Sequence, residues 1–163
     1  MVIVLMGVSG SGKTTIGKLV AEALGAEFVE GDAYHPPENI EKMRRGIPLD
    51  DADRWPWLEA LSAEIDRWLA AGRTVVLACS ALKQCYRDVL AKGRPDVRFV
   101  YLKGDEALLR ARLERRRGHY MPASLLASQI AALEEPVDAI AVDVGQSPEA
   151  ITAEIRQRLD GTA

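Results

Sequence analysis

Apolar positions along this chain alternate between short continuous runs and longer stripes at helical spacing. Val2 to Met6 is unbroken apolar sequence, the mark of a strand covered on both faces. Ile16, Leu19, Val20, Ala23 and Leu24 then recur at helical intervals, and Gly25 stops that stripe. Glu27 to Glu30 is a short second strand ending at Gly31-Asp32. Residues 33–56 are polar and rich in proline, with one short helix predicted near Glu38 to Arg45. Trp57, Leu58, Leu61, Ile65, Trp68 and Leu69 mark a firm helix, with Pro56 in its first turn and Gly72 at its end. Thr74 to Ala78 is a third buried strand, followed by a helical stripe of Leu82, Cys85, Tyr86, Val89 and Leu90. Val97 to Leu102 is a fourth strand, and a helix follows from about Asp105 to Arg116. Residues 117–136 read as a polar loop plus a short helix carrying Leu126, Ile130 and Leu133. Ala139 to Val144 is a fifth strand, and Ser147-Pro148 opens a last helix through Ile151, Ile155 and Leu159. Five strands separated by helices predict an α/β fold with a parallel sheet and right-handed crossovers. Ligands in such sheets bind outside the carboxyl ends of the strands.

Composition narrows the class. The 163 residues make one domain, with no repeat or linker to divide residues 1–163. Lys and Arg total 21 against 24 Asp and Glu, a net charge of −3 that argues against a protein coating nucleic acid or an anionic membrane. The opening apolar run is too short to span a bilayer and lacks a basic leader and cleavage site, so a cytoplasmic location is expected. Cys79 and Cys85 have neither CxxC spacing nor secretory context, which fits a reducing compartment.

The strongest chemical signal lies between the first strand and its helix. Gly7-Val8-Ser9-Gly10-Ser11-Gly12-Lys13-Thr14 matches GxxxxGK[ST] in full and in the required strand–helix setting. Glycines let the backbone curl until several N–H groups face one anion, and the helix N-terminus adds partial positive charge. Lys13 supplies a full charge for the β- and γ-phosphates, and the Thr14 hydroxyl is a Mg²⁺ ligand. These eight residues and the adjoining Thr15 are the candidate ATP-binding set. The chain has no NKxD and no DxxG, which argues against a signalling GTPase. The third strand runs into Cys79-Ser80 without an acid; the carboxylate at a strand end is instead Asp32. That arrangement suits a small-metabolite kinase whose Asp32 accepts or orients the acceptor hydroxyl.

Around that acid lie further candidates. His35, three residues on, is a candidate substrate contact. Arg54 reads either as a salt-bridged surface arginine or as a planar fork for a substrate carboxylate. Lys83 and Arg87 are four apart, on one helical face expected to point toward the edge that carries Asp32. Ser80 is read as a helix cap, Cys85 as core, and Trp55, Trp57 and Trp68 mainly as core. Arg110, Arg112, Arg115, Arg116 and Arg117 precede Gly118-His119-Tyr120, either as a solvated helix face or as part of a lid over the nucleotide. Arg112 and Arg116 share a face and are the favoured inward pair.

Beyond these residues, Gly31-Asp32 with His35-Pro36, Asn39 to Met43, Gly46, Pro48-Leu49, Asp53-Arg54, Pro56-Trp57-Leu58, Cys79 to Lys83, Tyr86-Arg87-Asp88, Tyr101 to Gly104, Arg112-Leu113, Arg116, Gly118-His119, Gln129 and Glu135-Pro136 resemble the gluconokinase family over nearly the whole chain. The resemblance implies a three-layer P-loop kinase fold with a five-stranded parallel sheet, like those of shikimate and adenylate kinases. A substrate-binding insertion at about 33–56 and a lid at about 115–136 come with it. It implies transfer of phosphate from ATP to the 6-hydroxyl of D-gluconate, commonly in a homodimer. Asp32 is then expected at that hydroxyl, Arg54, Lys83 and Arg87 at the sugar acid, and Arg116 and His119 in the lid. Tyr120 stands where the family often has Phe, and Gly145 to Pro148 match only loosely. Another small-molecule kinase of this fold and a non-catalytic nucleotide switch are the rival readings.

Overall fold

The computed structural model describes residues 1–116 and 123–161. Strands β1 (Val2–Met6), β2 (Glu27–Glu30), β3 (Val75–Ala78), β4 (Val97–Lys103) and β5 (Ile140–Asp143) form one sheet. Their spatial order is β2-β3-β1-β4-β5 and every pairing is parallel. Helices α1 (Lys13–Leu24), α2 (Pro37–Arg44), α3 (Asp51–Ala70), α4 (Gln84–Ala91), α5 (Glu106–Arg115), α6 (Leu126–Ala132) and α7 (Pro148–Asp160) complete the described elements with two short 3₁₀ turns.

Side chains alternate across the pleat, so each central strand feeds two cores. Ile3, Leu5, Val76, Val100 and Leu102 pack under α1, α5 and α7. Val2, Val4, Met6, Leu77 and Tyr101 pack under α3 and α4. That double coverage is why β1 is apolar at every position. A third, small cluster of Met43, Leu49 and Leu125 ties the segment after β2 to the turn that precedes α6.

Four sequence expectations are corrected here. Helix α3 begins six residues before Trp57, so Pro56 lies inside it and not in its first turn. An Asp50–Asp53 capping box starts the helix early, each side chain accepting the other's backbone N–H. Cys85 is exposed, not core; Tyr86 and Leu90 carry the buried face of α4. Helix α4 starts at Gln84 with no side-chain cap, which leaves Ser80 as a loop residue and Lys83 at the helix boundary. Arg87 is buried, for reasons that belong with the site below.

Candidate active site

Loop residues after β1, β2 and β3 meet at the carboxyl edge of the sheet, where the strand order reverses. Gly10 and Gly12 have φ of +83° and +92°, conformations open to glycine, which wrap the loop around the start of α1. Lys13 Nζ donates to the carbonyls of Gly7 (2.9 Å) and Val8 (3.1 Å), so the ammonium is held across the loop mouth. Desolvation is the largest influence on Lys13 and lowers its pKa; Asp32 and Glu30 oppose it. An anion entering the loop relieves that desolved charge.

One strand over, Gly31 lies against β3. A Cβ there would sit 2.4 Å from the Ala78 carbonyl, so only glycine lets the chain turn at this point and project Asp32 over the sheet edge. Lys13, Thr14, Glu30, Asp32, His35, Arg54, Trp57, Ser80, Arg116 and Gln129 line the same cavity. Its wall is built from the core outward. Trp57 is buried and donates Nε1–H to the Gly31 carbonyl at 2.8 Å. His35 stacks on the Trp57 ring at 4.0 Å between centroids and 17° between planes. Its Nε2 lies 3.8 Å from Asp32 Oδ1.

Burial pushes the His35 pKa down to about 4, helped by Arg54 and opposed by Asp32. Above about pH 6.5 the ring is neutral both folded and unfolded; below it the unfolded chain takes up a proton that the folded site refuses. Wild-type stability therefore falls, relative to His35→Gln, by up to roughly 3 kcal/mol between pH 6.5 and the folded pKa of about 4. Urea unfolding of both proteins across that range measures it, and parallel profiles refute it.

Among the described residues Arg54 makes no salt bridge. Its Nη1 donates to Tyr86 Oη at 2.8 Å, and the guanidinium lies 5.4 Å from the Tyr86 ring centroid. Tyr86 Oη donates to Asp51, which also receives Lys83 Nζ at 3.0 Å. Lys83 and Arg54 share a second, shallower hollow with Asp50 and Asp51, continuous with the main cavity through Pro48, Leu49 and Ser128. Arg87 departs from expectation. Its guanidinium donates to the carbonyls of Ala81 (2.8 Å), Leu82 (3.0 Å) and Glu134 (2.7 Å) and to the Gln84 side chain. It lies on the buried face of α4 and ties the loop after β3 to the segment after α6, outside the residues that line the cavity. The capping box and the Lys42–Asp53 pair, 2.9 Å apart, hold the start of α3 and thereby Arg54.

On the other side of the phosphate loop a separate hollow is lined by Gly10, Ser11, Gly12, Thr15, Arg112, Arg116, Gln146 and Pro148. Arg112 is tethered there by a 2.8 Å bond to the Val144 carbonyl, and Arg116 borders both this hollow and the main cavity. His119 lies outside the described residues.

Three wall residues make contacts that the sequence does not reveal. Glu30 accepts the Thr14 hydroxyl at 2.6 Å; desolvation raises its pKa, with Asp32 adding and Thr14 opposing. The signal for it was an acid two residues before Asp32 at the same strand end. Gln129 accepts the Ser9 N–H at 2.7 Å across 120 residues of chain, which no local pattern records. Trp57 was read as core and is both core and wall.

A parallel sheet of this order, a lysine-bearing loop after its central strand and an acid-bearing pocket beside it define a P-loop kinase. Comparison with known proteins agrees. Residues 2–136 match the family described as AAA domain. The chain is 48% identical to the thermosensitive gluconokinase of Escherichia coli strain K12, over 94% of this chain and 84% of that one. Its fold superposes on a gluconokinase from Sinorhizobium meliloti 1021 with a TM-score of 0.87 at 50% identity, covering 99% of this chain and 92% of that one. A sugar kinase from Janibacter sp. HTCC2649 gives 0.91 at 51% identity, covering 98% and 94%. Shikimate kinase from Aquifex aeolicus shares the fold, with a TM-score of 0.64 at 22% identity. The chain belongs to the gluconokinase family.

Proposed function

We propose that this protein transfers the γ-phosphoryl group of ATP to D-gluconate, forming 6-phosphogluconate. The observation that carries the reading is the placement of Lys13, Asp32 and Arg54 around one cavity at the sheet's carboxyl edge. ATP lies with its phosphates in the Gly7–Thr14 loop and its base in the hollow bordered by Arg112, Arg116 and Pro148. Arg116, which borders both spaces, neutralises charge on the moving phosphoryl group. Asp32 accepts the proton of the attacking hydroxyl and orients its oxygen in line. Arg54 and Lys83 take the carboxylate at the far end of the acceptor, in the continuous hollow beyond. Positioning and charge neutralisation supply most of the acceleration.

The donors near Thr14 are hard oxygens from Thr14, Glu30 and Asp32, a set that suits Mg²⁺. Thr14 would hold the ion, which when bound would offset the charge of the phosphates. Among the described residues no group of three or more His, Cys, Asp or Glu side chains makes a self-sufficient cage. The proposal includes an acceptor-binding insertion at about 33–56 and a lid at about 115–136, of which residues 117–122, His119 among them, lie outside the described residues. In this reading the enzyme is a homodimer, as the family resemblance implies, and acts in the cytoplasm. No described helix is long and apolar enough to cross a membrane.

Coupled ADP detection with gluconate, its epimers, shikimate and nucleoside monophosphates tests the reading. Gluconate turnover far above ATP hydrolysis is expected; a preference for shikimate or a nucleotide overturns it. Arg54→Ala is expected to raise the KM for gluconate roughly 10- to 100-fold, the worth of a charge-assisted hydrogen bond, with the KM for ATP unchanged. A normal gluconate KM assigns Arg54 to holding Tyr86 alone.

A further inference from the structure

One buried polar chain beside Asp32 has no role in the chemistry so far. It runs from the Asp53 backbone carbonyl through Asn39 to His35. Asn39 is 4% exposed and His35 8%. Asn39 Nδ2 donates to the Asp53 carbonyl at 2.7 Å and lies 3.2 Å from His35 Nδ1. A carbonyl oxygen carries no proton, so the Asn39 atom facing it must be the amide nitrogen; a flipped amide would set two acceptors against each other. The second N–H of that nitrogen is then directed at His35 Nδ1, which has to accept and therefore carries no proton. The ring's one hydrogen is left on Nε2, the nitrogen on the Asp32 side. The ring cannot pivot away. Its face is stacked on Trp57, which is itself fixed by its bond to the Gly31 carbonyl.

We propose that Asn39 is a positioning residue that locks His35 as the neutral Nε2–H tautomer, so that His35 donates to the oxygen of the same acceptor hydroxyl whose proton is taken by Asp32. The inference rests on the reading of this cavity as the acceptor site. A hydroxyl is at once donor and acceptor, whereas a carboxylate only accepts. Asp32 alone can therefore engage the proton but cannot aim the lone pairs. An N–H placed 3.8 Å from the carboxylate oxygen supplies the missing half, since one oxygen can sit within hydrogen-bond reach of both groups. An imidazolium in the same place would pair with Asp32 and weaken it as a base. The charged groups facing the ring are Asp32 from the turn after β2 and Arg54 from α3; α2 contributes the uncharged Asn39.

Imidazole ¹⁵N spectra of the intact labelled protein test the assignment. The chain has two histidines, so the signals lost in His35→Gln identify those of His35. The expected pattern is an unprotonated Nδ1 and a protonated Nε2, retained at about pH 5, where a free histidine is mostly charged. Gluconate should shift the Nε2–H signal. Asn39→Asp turns the wedge into an acceptor, so the proton should move to Nδ1 or the ring become charged, and the gluconate KM should rise about tenfold with the ATP KM unchanged. Asn39→Ala should populate both tautomers and raise the His35 pKa. A protonated Nδ1 in the wild-type protein at about pH 7 overturns the proposal, as does an Nε2–H signal that gluconate leaves unmoved. The wild-type spectra decide even if a variant fails to fold. Failure of the acceptor-site reading itself is seen separately, in the kinetics of Asp32 and Arg54 variants, which do not depend on the tautomer of His35.

Discussion

Replacing Lys13 with methionine will lower kcat by about 10³-fold while the protein stays folded. Electrostatic contacts aimed at charge that moves in the transition state are each worth about 10²–10³-fold, and a full cation at the β- and γ-phosphates stands at the upper end. Stability should hold because the ammonium is not part of either core. Its folded partners are two backbone carbonyls at the loop mouth, and desolvation already lowers its pKa. Removing a charge that the fold disfavours costs little. Urea unfolding and coupled turnover on one preparation separate the two effects. Near wild-type turnover would remove Lys13 from the phosphate site.

Asp32→Asn should lower kcat by about 10²–10⁴-fold, the range for loss of a positioned base, with ATP affinity changed less than about threefold. Asparagine keeps the shape of the side chain at a corner where space is tight: Gly31 next to it already abuts the Ala78 carbonyl. The variant therefore changes proton acceptance and little else. Asp32 also favours the charged form of Lys13, so calorimetric ATP binding has to be measured beside turnover. Unchanged kcat would move the acceptor hydroxyl away from Asp32, and with it the partnership assigned to His35.

Much of the architecture is visible in one dimension because its causes are local. Four of the five strands are written as short, mostly apolar runs, and β2 as an apolar pair between two glutamates. The bend from β1 into α1 is written in the glycines of the phosphate loop, and the start of α7 in Ser147-Pro148, where Ser147 accepts the Ala150 N–H. Asp32 was visible because a strand end followed by glycine and an acid is a local feature. The differences arise where another contact, local or long-range, outweighs the signal first read. Proline at position 56 suggested a helix start, but the Asp50–Asp53 box set it earlier. Lys83 and Arg87 share a helical spacing, yet Lys83 ends at the helix boundary paired with Asp51. Arg87 is drawn inward by three carbonyls, one of them 47 residues away.

Periodicity thus sets the class of sheet, and the Gly7–Thr14 motif marks the loop to which the proposal assigns the triphosphate, since both depend on neighbours a few residues apart. Which cations face the acceptor, the proton position on His35 and the pairing of Thr14 with Glu30 depend on how β2, α2 and α3 pack. Those contacts join residues distant in sequence, and burial changes the cost of every charge among them. Only the folded chain can therefore separate the arginine that braces the loops, Arg87, from the one that meets the cavity, Arg54.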